Sequence, residues 1–205
     1  MKVQQFVMAY GVEHDRLRAI LPEGFVSIRP VLRFNGEIRD DQTGYLEFNT
    51  AVEKDGIRGW LNIGFWEDIP FVRQGKKVTF QNALLEISFA GVGIEGGCPA
   101  EKDSAGCFFL GDQEVLRLAE TVTSRKEFCD CAFQWKTPEG AFGESIGKTL
   151  PACPEEIKTR YPKQAFTVAN AAAIPCKQVL GTYVVEFERS SIALQKSRLI
   201  NRSLG

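Results

Sequence analysis

An Asp55-Gly56 dipeptide between two runs of alternating apolar and polar residues most constrains how this 205-residue chain can fold. The runs are residues 45–52 and residues 57–63. Asp-Gly suits the tight turn of a β-hairpin, because both central residues of that turn must accept a positive φ. The sequence therefore predicts two long antiparallel strands joined at this point.

Similar runs recur along the chain and predict further strands over residues 3–10, 25–38, 78–94, 107–110, 131–135, 141–146, 166–174 and 179–187. In the second of these runs, Pro30 requires an edge or a bulge. Helical spacing predicts a short helix over residues 14–21, a longer one over 113–122, and a helical turn over 154–160. Together they predict a mainly β fold, α+β by count, that forms an antiparallel barrel or sandwich with two or three short helices.

Length and composition indicate one domain. A chain of 205 residues with 44% apolar content can fill a single core, since domains commonly contain ~100–200 residues. The sequence has no internal repeat, low-complexity stretch or linker. We expect one domain over residues 1–189 and a polar, basic tail over residues 190–205.

The charge pattern argues against nucleic acid and membranes as partners. The formal net charge is −1, so no overall field attracts either one. The N-terminus lacks the apolar segment of a signal peptide, and no apolar run approaches the ~20 residues that span a bilayer. We therefore expect a cytoplasmic protein. Exposed strand edges and the aromatic residues Trp60 and Trp66 permit assembly into a homo-oligomer.

The cysteine and histidine content points away from metal chemistry. Without a secretory signal, the six cysteines are expected to be reduced thiols. His14 is the sole histidine, which disfavours a His-based triad or a zinc cluster. We expect neither a metal nor a cofactor.

Three stretches carry a resemblance to a known family. Residues 15–25 read Asp-Arg-Leu-Arg-Ala-Ile-Leu-Pro-Glu-Gly-Phe, residues 29–34 read Arg-Pro-Val-Leu-Arg-Phe, and residues 107–120 read Cys-Phe-Phe-Leu-Gly-Asp-Gln-Glu-Val-Leu-Arg-Leu-Ala-Glu. They resemble the acetoacetate decarboxylase superfamily, in which a short helix leads into an edge strand and a strand–turn–helix leads to the catalytic lysine. The resemblance implies an antiparallel β-barrel or cone with a ligand pocket inside.

The same resemblance places Lys126 at the Schiff-base position. The family segment reads Gly-Arg-Glu, four residues, then Pro-Lys-Lys, and the spacing from Glu120 to Lys126 matches it. In this chain Arg125 replaces the proline, Glu127 the second lysine, and Ala119 the arginine.

Further site residues follow from the resemblance. Glu86 and Glu95 correspond to the family's two pocket carboxylates, with Glu95 assisting dehydration or protonation and Glu86 orienting it. Arg125, Glu120 and Phe109 are expected to contact the substrate.

Schiff-base chemistry explains why a lysine is needed. An iminium accepts the electron pair left by decarboxylation far better than a ketone does, but the attacking amine must first be neutral, against an unperturbed pKa of about 10.4. Desolvation or a neighbouring cation favours the neutral form, and acetoacetate decarboxylase is itself the known example. Here Arg125 is the candidate cation.

Three functions are compatible with these observations. The first is a decarboxylase-like lyase acting on a small β-keto acid or related carbonyl compound, with aldol condensation or dehydration in the same pocket as a variant. The second is a non-catalytic barrel that binds a small apolar or carboxylated ligand, and the third is an oligomerisation module. Lys163, in Tyr161-Pro162-Lys163, is the alternative reactive lysine.

Overall fold

A computed structural model describes residues 1–96, 107–109, 114–116, 120–136, 161–189 and 197–198, with backbone alone at 107–109, 114–116, 120 and 197–198. The helices are α1 (His14–Ile20) and α2 (Val168–Ala172). The strands are β1 (Lys2–Gly11), β2 (Val26–Arg39), β3 (Thr43–Lys54), β4 (Ile57–Glu67), β5 (Phe71–Gln74), β6 (Lys77–Gln81), β7 (Leu85–Gly96), β8 (Cys107–Phe109), β9 (Glu114–Leu116), β10 (Glu120–Val122), β11 (Lys126–Trp135), β12 (Gln178–Arg189) and β13 (Ser197–Arg198).

The strands form one sheet that curls into a half-barrel. Their order in the described ranges is β13-β9-β8-β4-β3-β2-β1-β12-β11-β7-β6-β5, and β10 also pairs with β12. Neighbours are antiparallel except for β4 and β8, which pair in parallel. The predicted mainly β, antiparallel class is confirmed.

The hairpin predicted at Asp55-Gly56 is confirmed. Asp55 has φ 52° and Gly56 has φ 75°, the positive values that the turn requires. β3 and β4 pair on either side of it from Lys54↔Ile57 to Tyr45↔Glu67. The register shifts once, between Phe48 and Asn49.

The irregularity predicted at Pro30 is also confirmed. The β2–β3 register shifts between Ser27 and Leu32. The carbonyl of Pro30 accepts a hydrogen bond from Val12 N at 3.0 Å, which ties the bulge to the end of β1. A bulge is where a sheet can place a residue that has no N–H to donate.

The helix predicted over residues 113–122 is wrong. In this segment Glu114–Leu116 is a strand that pairs with β8, and Glu120–Val122 is a strand that pairs with β12. Strand pairing across the sheet therefore overrides the local helical spacing of the apolar residues. The predicted elements at 141–146 and 154–160 lie outside the described residues.

The strand predicted over residues 166–174 is also wrong, because α2 occupies it. The Thr167 hydroxyl accepts a hydrogen bond from Asn170 N at 3.1 Å and caps the helix. Three of the five helix residues are alanine, at positions 169, 171 and 172, and Ala173 caps the C-terminal end. Alanine has the highest helix propensity, so a short capped helix is favoured over a strand.

One apolar core lies between the sheet and the two helices. Leu17 and Ile20 of α1 and Ala171 of α2 are at most 1% exposed and belong to it. Phe34 and Phe48 stack on neighbouring strands with their ring centroids 4.7 Å apart. Each large apolar side chain buried in this way stabilises the fold by about 1.5–3 kcal/mol.

The described cysteines that carry side chains, Cys129, Cys131 and Cys176, are free thiols, as predicted. Burial raises the pKa of Cys129 to about 11 and that of Cys131 to about 12. Both therefore remain protonated thiols near neutral pH, which is typical of packing residues.

Two further observations concern the described ranges alone. Neither α1 nor α2 has the length and hydropathy to cross a bilayer. Within the same ranges, no group of three or more His, Cys, Asp and Glu side chains could hold a metal ion.

A glycine pair tests the packing of the sheet. A methyl group at Gly44 would collide with the carbonyl oxygen of Ile69, whereas one at Gly181 would meet nothing within 4 Å. We expect Gly44→Ala to lower the free energy of unfolding by about 1–3 kcal/mol, and Gly181→Ala to leave it nearly unchanged. Urea unfolding of both variants measures this, and equal stability of the two would contradict the described β3 packing.

Candidate functional site

Both faces of β2 and β3 are buried, and one of them is polar. Its residues, called the polar face here, alternate with the apolar core residues along β2, β3 and β4. None is more than 7% exposed. They are Arg33, Asn35, Glu37, Tyr45, Glu47, Asn49 and Asn62.

The pairing register arranges part of this face in a row. Tyr183 lies opposite Val7, Val7 opposite Asn35, and Asn35 opposite Glu47. Directly opposed residues project from the same side of a sheet. The row therefore runs across β12, β1, β2 and β3 on one side of the sheet.

Glu47 is a buried carboxyl group that receives two hydrogen bonds. Asn35 Nδ2 donates to Oε1 at 2.7 Å, and the Tyr45 hydroxyl donates to Oε2 at 3.0 Å. Burial raises the pKa of Glu47 above its usual value, although the charge of Arg33 and the Asn35 hydrogen bond oppose the rise. The acid therefore keeps its proton at a higher pH than an exposed glutamate does.

Glu37, two residues from Asn35 along β2, is held in the ionised state. Burial alone would raise its pKa, but two bonds from Arg189 at 2.7 and 3.0 Å and one from Arg39 at 2.8 Å outweigh burial. The pKa of Glu37 is lowered as a result. The polar face thus carries one protonation-prone and one ionised carboxyl.

Arg33 contacts two residues of the polar face on β3, Asn49 and Glu47. Its Nε donates to Asn49 Oδ1 at 3.0 Å, and its Nη2 lies 3.9 Å from Glu47 Oε1. Its guanidinium carbon lies 3.6 Å from the centre of the Trp60 ring. A guanidinium over an indole is a favourable cation–π contact, which fixes the head group of this arginine.

Lys126 is the first residue of β11. It lies near the point where β12 stops pairing with β10 and starts pairing with β11. Glu186 marks this point, because its carbonyl accepts hydrogen bonds from Thr123 N and Ser124 N and its own N–H donates to Ser124 Oγ at 2.9 Å. Beyond it, Glu127 pairs with Val184. These bonds fix the backbone immediately before the lysine.

Aromatic rings surround the amine of Lys126. Its Nζ lies 4.7 Å from the ring centre of Tyr183 and 5.0 Å from that of Phe128. A Cβ at Gly96, which pairs with Lys126, would come within 2.9 Å of the Phe128 ring and 3.6 Å of Lys126 Cε. The absent side chain of Gly96 is therefore what leaves room for both groups.

Lys126 and Glu47 lie on the same side of the sheet. Lys126 contacts Tyr183, the first residue of the row that ends at Glu47. From Tyr183 to Glu47 the row crosses three strand spacings, about 14 Å along the sheet.

Comparison of the structure with solved structures finds the same fold at low sequence identity. The acetoacetate decarboxylase from Legionella pneumophila subsp. pneumophila matches with a TM-score of 0.59 and 13% identity, over 91% of this chain and 82% of that one. A second acetoacetate decarboxylase matches with a TM-score of 0.60 and 10% identity, over 92% and 85%. An acetoacetate decarboxylase-like enzyme from Sphingomonas wittichii RW1 matches with a TM-score of 0.56 and 10% identity, over 92% and 88%.

The chain has the acetoacetate decarboxylase fold. The structural resemblance to that superfamily, predicted from three short stretches, is confirmed. No family model matches the sequence, and no curated protein matches it in sequence. The enzyme MppR of enduracididine biosynthesis, complexed with pyruvate, also matches, with a TM-score of 0.53 and 12% identity over 92% of this chain and 85% of that one.

Within this acetoacetate decarboxylase-like fold, Glu95 lies on the opposite side of the sheet from Lys126. It pairs with Glu127, whereas Lys126 pairs with Gly96. Glu95 and Arg125 form an exposed ion pair of 3.8 Å, with side chains 62% and 80% exposed. The structure therefore brings these two predicted residues together, but away from the lysine.

Glu127, which stands at the family's second lysine, also faces away from Lys126. Its Oε1 accepts hydrogen bonds from Lys76 Nζ and from Gly93 N, both at 2.9 Å. These bonds, the one from Lys76 first, lower the pKa of Glu127. The acidic substitution thus puts no negative charge beside the Lys126 amine.

The other predicted site residues lie elsewhere or are described by backbone alone. Glu86 pairs with Gln134, eight residues and roughly 25 Å along β11 from Lys126, and forms an ion pair of 3.3 Å with Lys136. Glu120 in β10 lies opposite Arg189, and Phe109 in β8 lies opposite Glu114, without described side chains.

The alternative lysine, Lys163, has a structural contact. Its amine donates a hydrogen bond to the carbonyl of Leu21, at the end of α1. Gln164 N donates to Ala19 O at 2.9 Å, and the Tyr161 hydroxyl donates to Glu13 at 2.8 Å. The Tyr161-Pro162-Lys163 segment therefore docks on α1, away from the polar face.

Sequence reasoning missed Glu47 and its neighbours on the polar face. Polar residues at every second position of β2 and β3 are typical of a solvent-facing side. The available signal was composition, because Arg33, Asn35, Glu47 and Asn49 can hydrogen-bond one another across two paired strands. Their burial depends on the tertiary fold.

Glu47 and Glu37 should give opposite dependences of stability on pH. The raised pKa of folded Glu47 means that its contribution is complete below the unfolded value of about 4.5 and is lost as pH rises toward the folded pKa. The lowered pKa of folded Glu37 means that its contribution is complete above that value and is lost as pH falls.

We therefore expect Glu47→Gln to gain stability relative to the native protein as pH rises from about 4 to 8. Glu37→Gln should lose stability relative to it over the same range, by about 3–5 kcal/mol at neutral pH, because Arg189 loses its charged partner. Urea unfolding at several pH values measures both slopes. Slopes of the same sign would contradict the assignment.

Proposed function

We propose that the protein is an enzyme that forms a Schiff base between Lys126 and the ketone of a small carbonyl or keto-acid substrate. The observation that supports this most is the position of the Lys126 amine, over Tyr183 on the side of the sheet that carries the buried acid Glu47. The acetoacetate decarboxylase fold supports the same chemistry, and the sequence resemblance assigns the Schiff-base position to Lys126.

The proposed reaction with a β-keto acid proceeds in balanced steps. The neutral amine attacks the ketone carbon to give a carbinolamine, which loses water to give an iminium. The bond between the α-carbon and the carboxylate then breaks, CO₂ leaves, and the electron pair moves into the iminium to give an enamine. A proton adds to the α-carbon, and water releases the ketone and the free lysine.

Glu47 is the proposed source of the proton that the enamine takes up, carried by a chain of water molecules because the row from Tyr183 to Glu47 is about 14 Å long. A general acid is most effective when its pKa lies near the working pH, and burial raises the pKa of this carboxyl in that direction. Asn35 and Tyr45 hold its two oxygens, so the acid has one orientation. The proposal therefore assigns to Glu47 the role that the sequence analysis gave to Glu95.

Condensation with an aldehyde is the second candidate reaction. The observation that favours it is the match to MppR, a structure of which contains the condensation product of pyruvate and imidazole 4-carboxaldehyde, with a TM-score of 0.53. In such a reaction the electron pair of the enamine attacks the carbonyl carbon of an aldehyde, whereas in decarboxylation it takes up a proton. Both reactions begin with the same iminium at Lys126.

Reductive trapping tests the Schiff base. We expect incubation with acetoacetate or pyruvate, followed by borohydride, to add the reduced ketone to Lys126, because borohydride converts an iminium into a stable amine. Lys126→Ala should abolish the adduct, and Lys77→Ala, at an exposed position on β6, should not. Intact-mass and peptide mass spectrometry measure the adduct and its position.

The outcomes separate the candidate functions. Labelling at Lys163 would move the site to the segment that docks on α1. No adduct with any of several keto acids or aldehydes would refute the enzyme and favour the non-catalytic, ligand-binding barrel.

Substitution of Glu47 tests the proton-transfer role. Glu47→Gln should still form the borohydride adduct but should slow product formation by about 10²- to 10⁴-fold, because the amide keeps the hydrogen bonds and cannot donate the proton. Glu53→Gln, in the same strand, serves as the control. The rate of product formation and the rate of trapping, measured for each variant, separate proton transfer from Schiff-base formation. If Glu95→Gln alone lost product formation to this extent, the proton-transfer role would return to Glu95.

A further inference from the structure

The pairing of β7 with β11 is irregular directly beside Lys126. Between Gly91 and Glu95, β7 contains two more residues than the part of β11 that it opposes. Gly93, within this stretch, has φ 75°, a conformation that glycine adopts readily and that lets a strand bulge out of its ladder. Regular pairing resumes after the bulge and includes the pair Lys126↔Gly96.

The register after the bulge decides whether the Lys126 amine has room. A Cβ at Gly96 would come within 2.9 Å of the Phe128 ring and 3.6 Å of Lys126 Cε. A slip that brought Glu95 opposite the lysine would replace this glycine by a residue with a side chain, and would turn that part of β7 to its other face. The amine therefore needs Gly96 opposite it to lie between the two rings.

The carboxylate of Glu127 fixes the bulge. Its Oε1 accepts hydrogen bonds from Gly93 N and from Lys76 Nζ, both at 2.9 Å. It also lies over Gly91, where a Cβ would come within 2.6 Å of Oε1. The carbonyl of Lys76 in turn accepts a hydrogen bond from Gly91 N at 3.3 Å. One side chain of β11 thus holds the bulge of β7 and the turn between β5 and β6.

This contact matters for geometry more than for overall stability. The side chains of Glu127 and Lys76 are 26% and 67% exposed, and ion pairs at such positions add little to the free energy of unfolding. Hydrogen bonds to a charged carboxylate are nevertheless about twice as strong as neutral ones. They hold Gly93 in one place relative to β11.

We propose that Glu127 is a positioning residue for Lys126: by binding Gly93 and Lys76 it fixes the bulge of β7, and with it the register that puts Gly96 opposite the lysine. Glu127 projects from the other side of the sheet, so it acts through the backbone. A lysine at this position, as in the family segment, could neither accept from Gly93 N nor pair with Lys76. The effect on catalysis rests on the proposed Schiff-base function, whereas the effect on the position of the amine does not.

The ε-methylene signal of Lys126 reports the position of the amine without any reaction. In protein labelled with ¹³C at the lysine ε carbons, the resonance absent from Lys126→Arg identifies it. We expect this resonance upfield of those of exposed lysines, because the amine lies 4.7 Å and 5.0 Å from the ring centres of Tyr183 and Phe128.

Removal of the Glu127 carboxylate should move this signal. In Glu127→Ala we expect the resonance to shift toward the position of an exposed lysine, since the register is no longer held. Glu127→Gln should move it less, because the amide oxygen can still accept both N–H groups. Glu188→Ala, which removes an exposed glutamate of β12, serves as the control and should leave the resonance in place.

The rate of borohydride trapping measures the consequence for the reaction. We expect Glu127→Ala to slow trapping of acetoacetate at Lys126 by about tenfold or more, because small displacements of a reacting group are costly. Its unfolding temperature should change by at most about 2–4 °C, since the ion pair is exposed. A merely structural role would lower the unfolding temperature and leave the trapping rate of the folded protein unchanged.

Lys76→Met tests whether the two donors act through the same carboxylate. It removes one of the two hydrogen bonds, so it should slow trapping less than Glu127→Ala does. Added to Glu127→Ala, it should cause no further loss, because the acceptor is already absent. Fully multiplicative effects of the two substitutions would contradict the shared contact.

The outcomes separate the role of Glu127 from the Schiff-base function. An unmoved Lys126 resonance in Glu127→Ala, or an equal shift in Glu188→Ala, would overturn the positioning role. If no keto acid labels the native protein, the Schiff-base function fails and the resonance still decides the role of Glu127. If Glu127→Ala does not fold, the same resonance in Glu127→Gln and Lys76→Met decides it.

Discussion

The burial of β2 and β3 on both faces is the constraint on which the rest of the structure depends. One face meets α1, α2 and the phenylalanine-rich core, and the other carries charged and amide side chains that are equally buried. A buried charge is tolerated where it is paired and hydrogen-bonded. The polar face must therefore supply its own partners: Arg189 pairs with Glu37, and Arg33 donates to Asn49 and lies over the Trp60 ring.

This constraint explains why two glutamates on adjacent strands differ in protonation. Glu37 receives three hydrogen bonds from two arginines, whereas Glu47 receives its bonds from an amide and a phenol. Charged donors stabilise a carboxylate far more than neutral donors do. A difference in bonding partners between neighbouring strands is thus enough to give one structural carboxylate and one candidate acid.

The sequence predicted those parts of the fold in which local chemistry and tertiary structure agree. The Asp55-Gly56 turn and the bulge at Pro30 follow from backbone requirements that do not depend on the rest of the chain. Residues 113–122 and 166–174 were assigned wrongly because apolar spacing over short segments fits both a helix and a strand. Pairing with β8 and β12 decided the first case, and the Thr167 cap decided the second.

The candidate site was harder to predict, because it depends on which side of the sheet each residue faces. Between Gly91 and Glu95, β7 contains two more residues than the part of β11 it opposes, with Gly93 at φ 75°. Gly91 and Gly93 are compatible with a bulge, but the sequence does not give the number of extra residues, so neither the distance nor the side of Glu95 could be derived. The row from Tyr183 to Glu47 likewise requires the register of four strands, of which β12 is far from the other three in sequence.

The replacements around Lys126 have a consequence for the kind of substrate that such a site can hold. Arg125 and Glu127 both project away from the lysine and are paired with Glu95 and Lys76. The described groups nearest the amine are therefore uncharged rings, and the substitutions have changed the charge on the other side of the sheet. The part of a substrate next to the reacting ketone would therefore contact the rings of Tyr183 and Phe128 and no charged side chain of the described residues.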